Sequence, residues 1–127
     1  MIKFVLSDNL ETIWKLLNAV GENPTLAHLK AAVASQFVYT AYYNDVLVGF
    51  ISFRPFNQDV YEIHVNLIHG GLGRKIIPAA IKLAKKDCKE VVAFLKPERT
   101  DLRNLALKTG FTKIGELPLT NIQVWSN

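Results

Sequence analysis

Apolar residues change their spacing from segment to segment along this chain, and each change marks an element. Ile2 to Leu6 reads as a first strand. Asp8 and Glu11 form a capping pair ahead of Leu10, Ile13, Trp14 and Leu17, whose helical spacing predicts an amphipathic helix stopped by Gly21. Asn23-Pro24 restarts a helix with proline at its first position, burying Leu26, Leu29 and Val33. Phe37 to Tyr43 and Val46 to Phe53 predict a hairpin about Asn44-Asp45, and Phe56 to Asp59 turns into a further strand. In that strand Tyr61, Ile63, Val65 and Leu67 alternate with Val60, Glu62, His64 and Asn66, giving one apolar and one polar face. Ile76 to Lys86 is the expected crossover helix, with Pro78 tolerable in its first turn or so. Val91 to Leu95 would pair parallel to the Val60 strand in a right-handed βαβ unit. The whole order is β-α-α-β-β-β-α-β-α-β-β, with no repeat, linker or low-complexity segment.

Between the Val60 strand and the crossover helix lie Gly70, Gly71 and Gly73. Glycines permit φ > 0 and close backbone approach. Where such a loop opens a helix, unpaired N–H groups and the positive end of the helix dipole converge on one spot, which suits an anion. Arg74-Lys75 is followed by Ile76, so no Ser or Thr is placed to hold Mg²⁺ as in a nucleotide P-loop. The spacing also lacks G-x-G-x-x-G, and the chain is too short for a full dinucleotide fold.

The loop resembles the acyl-CoA loop of the GNAT superfamily of N-acetyltransferases, [RQ]-x-x-G-x-[GA], with Gly71-Leu72-Gly73 supplying the G-x-G. Tyr42 to Ile51 is similar to that family's second hairpin, and Lys108-Thr109-Gly110-Phe111 to the K-x-G-F that ends its fourth helix. Three departures stand beside these. Ile68 occupies the place of the loop's Arg or Gln. Ala106 stands where the family often has a tyrosine that protonates the departing CoA thiolate. Arg99 replaces the asparagine that usually opens that segment. Some phage-encoded relatives with a similar E-x-H strand also lack the tyrosine.

The resemblance implies a single-domain α/β fold over residues 1–127, a mixed central sheet of about six to seven strands flanked by about four helices. It implies acetyl-CoA as co-substrate, with the pantetheine arm in a wedge between splayed strands. Val65, Asn66, Leu67, Gly70, Gly71, Leu72, Gly73, Arg74 and Lys75 would hold it. Acetyl transfer to a primary amine then needs a base and donors for the tetrahedral oxyanion, without a covalent enzyme intermediate. Glu62 and His64 share a strand face and could bracket the amine as catalytic residues, the alternatives being a salt-bridged sheet residue for Glu62 and a satisfied core imidazole for His64. His69 reads as a loop residue and His28 as a surface residue. Tyr39, Tyr42, Tyr43 and Tyr61 offer hydroxyls in place of the missing one, and Trp14 and Trp125 read as packing residues.

Composition narrows the classes further. The chain has 127 residues, half of them hydrophobic, which suits one domain able to bury a core. No apolar run approaches a membrane span, and the first residues are too short a stretch for a signal peptide, so a cytoplasmic protein is expected. One cysteine, Cys88, excludes an intramolecular disulfide and a cysteine-cluster metal site, and reads as a small packing residue; no metal is expected. The net charge of +4 gathers about Arg74, Lys75, Lys82, Lys85, Lys86 and Lys89. Lys82, Lys85 and Lys86 read as the solvated face opposite Ile77, Ile81 and Ala84. No aromatics interleave them to stack bases, which disfavours nucleic acid. The partners expected are acetyl-CoA and an amine-bearing small molecule or protein, with a homodimer left open. The competing reading is a catalytically silent GNAT-fold module used for protein binding.

Overall fold

In this computed structural model the residues described are 1–6, 36–68 and 70–127, with 15, 25, 27 and 28. Both predicted N-terminal helices, with Trp14, and the loop residue His69 therefore lie outside the described residues, apart from helical Lys15, Ala27 and exposed His28.

Among the described residues seven strands form one sheet in the order β1-β2-β3-β4-β5-β7-β6. They are β1 (Ile2–Leu6), β2 (Phe37–Tyr43), β3 (Val46–Pro55), β4 (Val60–Leu67), β5 (Glu90–Leu95), β6 (Thr112–Glu116) and β7 (Gln123–Ser126). Two helices complete the described fold, α1 (Gly73–Ala84) and α2 (Thr100–Lys108), with a 3-10 turn at Gly70–Leu72. The sheet is mixed: β4 and β5 run parallel, and the other neighbours are antiparallel. The β2–β3 turn is made by Asn44 and Asp45, both at positive φ, which these two residue types tolerate.

The period-two pattern sets the core. Tyr61, Ile63, Val65 and Leu67 share a face with their β3 partners, Phe53 and Ile51 among them, and join the cluster that includes Ile76, Ile77, Ala80, Ile81 and Ala84 of α1. Cys88 and Trp125 are buried in that cluster, as expected of packing residues. Burial pushes the Cys88 thiol above its ordinary value. Lys82 of α1 and Lys85 and Lys86 just past its end are exposed.

Three details differ from expectation. Helix α1 begins at Gly73 and not at Ile76, because the glycine segment is itself helical; Pro78 consequently falls in the second turn and removes an interior bond. Gly71 and Gly73 do not adopt positive φ, which among described glycines belongs to Gly49 and Gly110. Gly73 instead packs closely: a Cβ there would lie 2.9 Å from Leu105 Cδ2, so the end of that side chain would have to shift to admit it.

Candidate active site

Parallel pairing between β4 and β5 covers only Val60 to Glu62 against Glu90 to Val92. Beyond it β4 continues beside β3 as far as Leu67, while β5 continues beside β7 as far as Leu95. Each strand is thus held on its outer side alone, and the gap between them widens into a cavity of about 400 Å³. Ile63, His64, Val65 and Leu67 line it from β4, and Ala93, Phe94 and Leu95 from β5. Gly73 and Ile77 of α1 and Leu102, Leu105 and Ala106 of α2 line its helical side. The walls are mostly apolar; Arg99 and Thr109 add polar groups.

At the N-terminus of α1 no side chain caps the helix, and Leu72 in the N-cap position offers none. The 3-10 turn at Gly70–Leu72 runs straight into α1 and satisfies part of the first turn, so this end presents the remaining donors and a positive dipole end. Gly71 is exposed, and a Cβ added to it would meet nothing within 4 Å. Arg74 and Lys75 are exposed in the same turn, with the Lys75 ammonium donating to the Tyr43 hydroxyl at 2.9 Å. Of the residues assigned to co-substrate binding, Val65, Leu67 and Gly73 line the cavity; Asn66, Gly70, Gly71, Leu72, Arg74 and Lys75 lie on β4 or at its loop-to-helix edge.

Glu62 and His64 project on one face, as alternation requires, but they are not equivalent. Glu62 is buried, with its side chain 8% exposed, whereas His64 is half-exposed and lines the cavity. Glu62 Oε2 lies 2.9 Å from His64 Nε2, and Oε1 lies 3.3 Å from Arg54 Nε. The Arg54 contact is ionic without good hydrogen-bond alignment, so Oε1 has no hydrogen-bond donor. An imidazole bonded through Nε2 to a carboxylate carries its lone pair on Nδ1 when neutral. This arrangement orients His64 and leaves one nitrogen able to take a proton.

Arg99, at the start of α2, donates to Asp101 through Nε at 3.1 Å and Nη2 at 3.0 Å. That paired bond holds the Asp101 carboxyl below its ordinary value and Arg99 above its own. Arg99 and the α2 wall were not assigned roles from sequence, since their meeting with β4 depends on how the strands splay. None of Tyr39, Tyr42, Tyr43 and Tyr61 lines the cavity, and Ala106 does. Among the described residues no group of three or more His, Cys, Asp or Glu could hold a metal ion, and no helix is long and apolar enough to cross a membrane.

Residues 8–111 match the model of the Acetyltransferase (GNAT) family. The chain belongs to that family. No curated protein sequence matches it significantly. Among solved structures, the GNAT fold of this chain is similar to aminoglycoside acetyltransferase AAC(6')-Ib in complex with coenzyme A. That match has 18% identity and a TM-score of 0.81, covering 100% of this chain and 94% of the other. It is also similar to N-acetyltransferase PseH of Campylobacter jejuni in complex with acetyl coenzyme A. The identity is 17% and the TM-score 0.76, covering 100% of this chain and 98% of that one. A chimera of spermidine N-acetyltransferase SpeG from Vibrio cholerae and hSSAT gives 13% identity and a TM-score of 0.81, with 98% and 93% covered. At these identities the likeness is one of fold.

Proposed function

We propose that this GNAT chain is a single acyl-CoA-binding domain that transfers the acetyl group of acetyl-CoA to a primary amine by direct attack within a ternary complex. The observation that carries the reading is the apolar cavity between β4 and β5, which runs from His64 to the uncapped N-terminus of α1. The strand edges left open beyond Glu62 would bond the amides of the pantetheine arm through the backbone of Val65 to Leu67, and the apolar walls would cover its methylenes. The pyrophosphate would sit at Gly70 to Gly73, against the first-turn N–H groups, with Arg74 and Lys75 beside it.

In the reaction His64 Nδ1 takes a proton from the acceptor ammonium, with Glu62 fixing the ring and stabilising the imidazolium. The freed nitrogen lone pair attacks the thioester carbonyl, forming a C–N bond and an oxyanion. The carbonyl re-forms as the C–S bond breaks, and the amine's second proton goes to solvent or base. CoA leaves as a thiolate, protonated by water. None of the chain's four tyrosines lines the cavity. Acetyl-CoA is the co-substrate, and the chemistry uses no metal.

The test is calorimetric titration with CoA followed by acetyl-CoA turnover over a panel of amines, read as released thiol. Binding with release supports the transferase. Binding without release from any amine would favour the silent module, for which the absent tyrosine at Ala106 is the specific observation.

A further inference from the structure

We infer that the acceptor is an amine carrying a carboxylate, and that Arg54 recognises that carboxylate. This rests on the transferase reading above and gives its acceptor a chemical class.

Arg54 of β3 stands directly across from Glu62 of β4, so the two side chains share a face with His64, whose own β3 partner is Ser52. Two chains of contact lead from the cavity to the Arg54 guanidinium. One runs from His64 through Glu62 to Arg54 Nε. The other runs from Phe94, a cavity-lining residue of β5, to Phe56, whose ring meets it edge-on at 5.7 Å, and from Phe56 to the Arg54 guanidinium carbon 5.3 Å from the ring centroid. The guanidinium is therefore held in place from two sides at the margin of the base. Its side chain is nevertheless half-exposed, and among the described residues only Nε has a partner. The remaining pair, Nη1 and Nη2, is the planar fork that matches a carboxylate.

Charge points the same way. Glu62 is buried and already faces Arg54 and His64, so with neutral imidazole the cluster sums to zero and keeps a cationic edge towards solvent. Asp101, which follows the cavity-lining Arg99 by two residues, is paired with it. An acceptor with a second ammonium would bring it against a guanidinium; one with a carboxylate would complete the fork. Aminoglycosides and polyamines are the wrong sign for this edge.

Matched amines of similar basicity that differ only in the anion decide the matter: 5-aminopentanoate against 5-aminopentanamide, and 8-aminooctanoate against its amide, with spermidine as polycation. Thiol release from acetyl-CoA gives kcat/KM for wild type, Arg54→Gln and Arg54→Lys. The carboxylate member of each pair should be preferred by about tenfold or more, mainly in KM. Arg54→Gln should bring the ratio near one, and Arg54→Lys should retain part of it. A general disturbance of Glu62 and His64 would lower kcat for both members and leave the ratio unchanged. A wild-type ratio near one, a preference for spermidine, or an unchanged ratio in Arg54→Gln overturns the proposal. Calorimetric titration of the same compounds into free and CoA-loaded protein applies the same criteria without turnover. Carboxylate preference in a protein that shows no CoA binding would sink the transferase reading and leave the Arg54 site standing.

Discussion

Gly71 and Gly73 are two residues apart and should respond to substitution in opposite ways. A Cβ at Gly73 would lie 2.9 Å from Leu105 Cδ2 and 3.3 Å from Cδ1, and Leu105 packs against the core. Gly73→Val must displace that side chain and costs about 1–3 kcal/mol. Better helix propensity offsets only part of this. A Cβ at Gly71 would touch nothing within 4 Å, so the free fold gives no reason for glycine there. Gly71→Ala should leave the free protein unchanged or stabilise it by about 0.4–1 kcal/mol through the unfolded chain. If the loop is open because a phosphate group comes close, larger side chains at Gly71 must exclude it. CoA at ~100 times its dissociation constant adds about 2.7 kcal/mol to wild type. For a chain of 127 residues that is a rise in Tm of about 10 °C. Thermal melts with and without CoA should show the full rise in wild type and almost none in Gly71→Val, whose melt without ligand stays near wild type. Gly73→Val should melt several degrees low even without ligand. An undiminished CoA response in Gly71→Val would refute the placement of the pyrophosphate.

Four further outcomes are expected. His64→Ala should lower kcat by ~10²-fold with little change in CoA affinity, and Glu62→Gln by a smaller factor, because Glu62 acts through the ring; equal activity of both variants and wild type would remove the pair from catalysis. Ala106→Tyr should be accommodated by the cavity and raise the rate of thiol release, whereas Tyr39→Phe, Tyr42→Phe and Tyr61→Phe should be nearly silent; a sharp loss in any of the three would show that a distant hydroxyl reaches the sulfur. Gly49→Ala should cost about 3 kcal/mol or more in urea unfolding, since Gly49 has φ +155° and its Cβ would lie 2.1 Å from the Asn66 carbonyl oxygen. The Cys88 thiol is held above its ordinary value of 9.0, so the folded state favours the neutral form: stability is full below that pH and falls as pH rises through the folded value, by at most about 1.4 kcal/mol per pH unit for this group. Cys88→Ala should flatten the alkaline decline, and an unchanged slope would assign it elsewhere.

Most of the sheet was legible because strands β2 to β5 carry strong local signals: the Tyr61 to Leu67 alternation, the Asn44-Asp45 turn, and an apolar run at Val91 to Leu95. The site was legible only in part. Alternation placed Glu62 and His64 on one face, but it carries no information on depth, and depth is what separates the buried Glu62 carboxylate from the half-exposed His64 imidazole at the cavity. Glycine spacing marked the loop without its conformation. Gly73 packs against a side chain more than thirty residues away, Leu105, a contact no local pattern could have revealed. Arg54 escaped notice for the same cause: its neighbours Glu62, Phe56 and, through Phe56, Phe94 come from β4, a turn and β5.

The short parallel contact between β4 and β5 also bears on efforts to improve this protein. Three paired positions are an interior seam left mostly unstitched, with backbone donors and acceptors facing a gap. Any sequence change that drew the strands together would gain ladder bonds and packed side chains, and a thermostability screen run without ligand would reward it. Such winners would be sturdier and, under the proposed function, useless, because the gain comes from filling the space proposed for the co-substrate. Selection run with CoA present would instead favour sequences that keep the seam open, if CoA lies there as proposed.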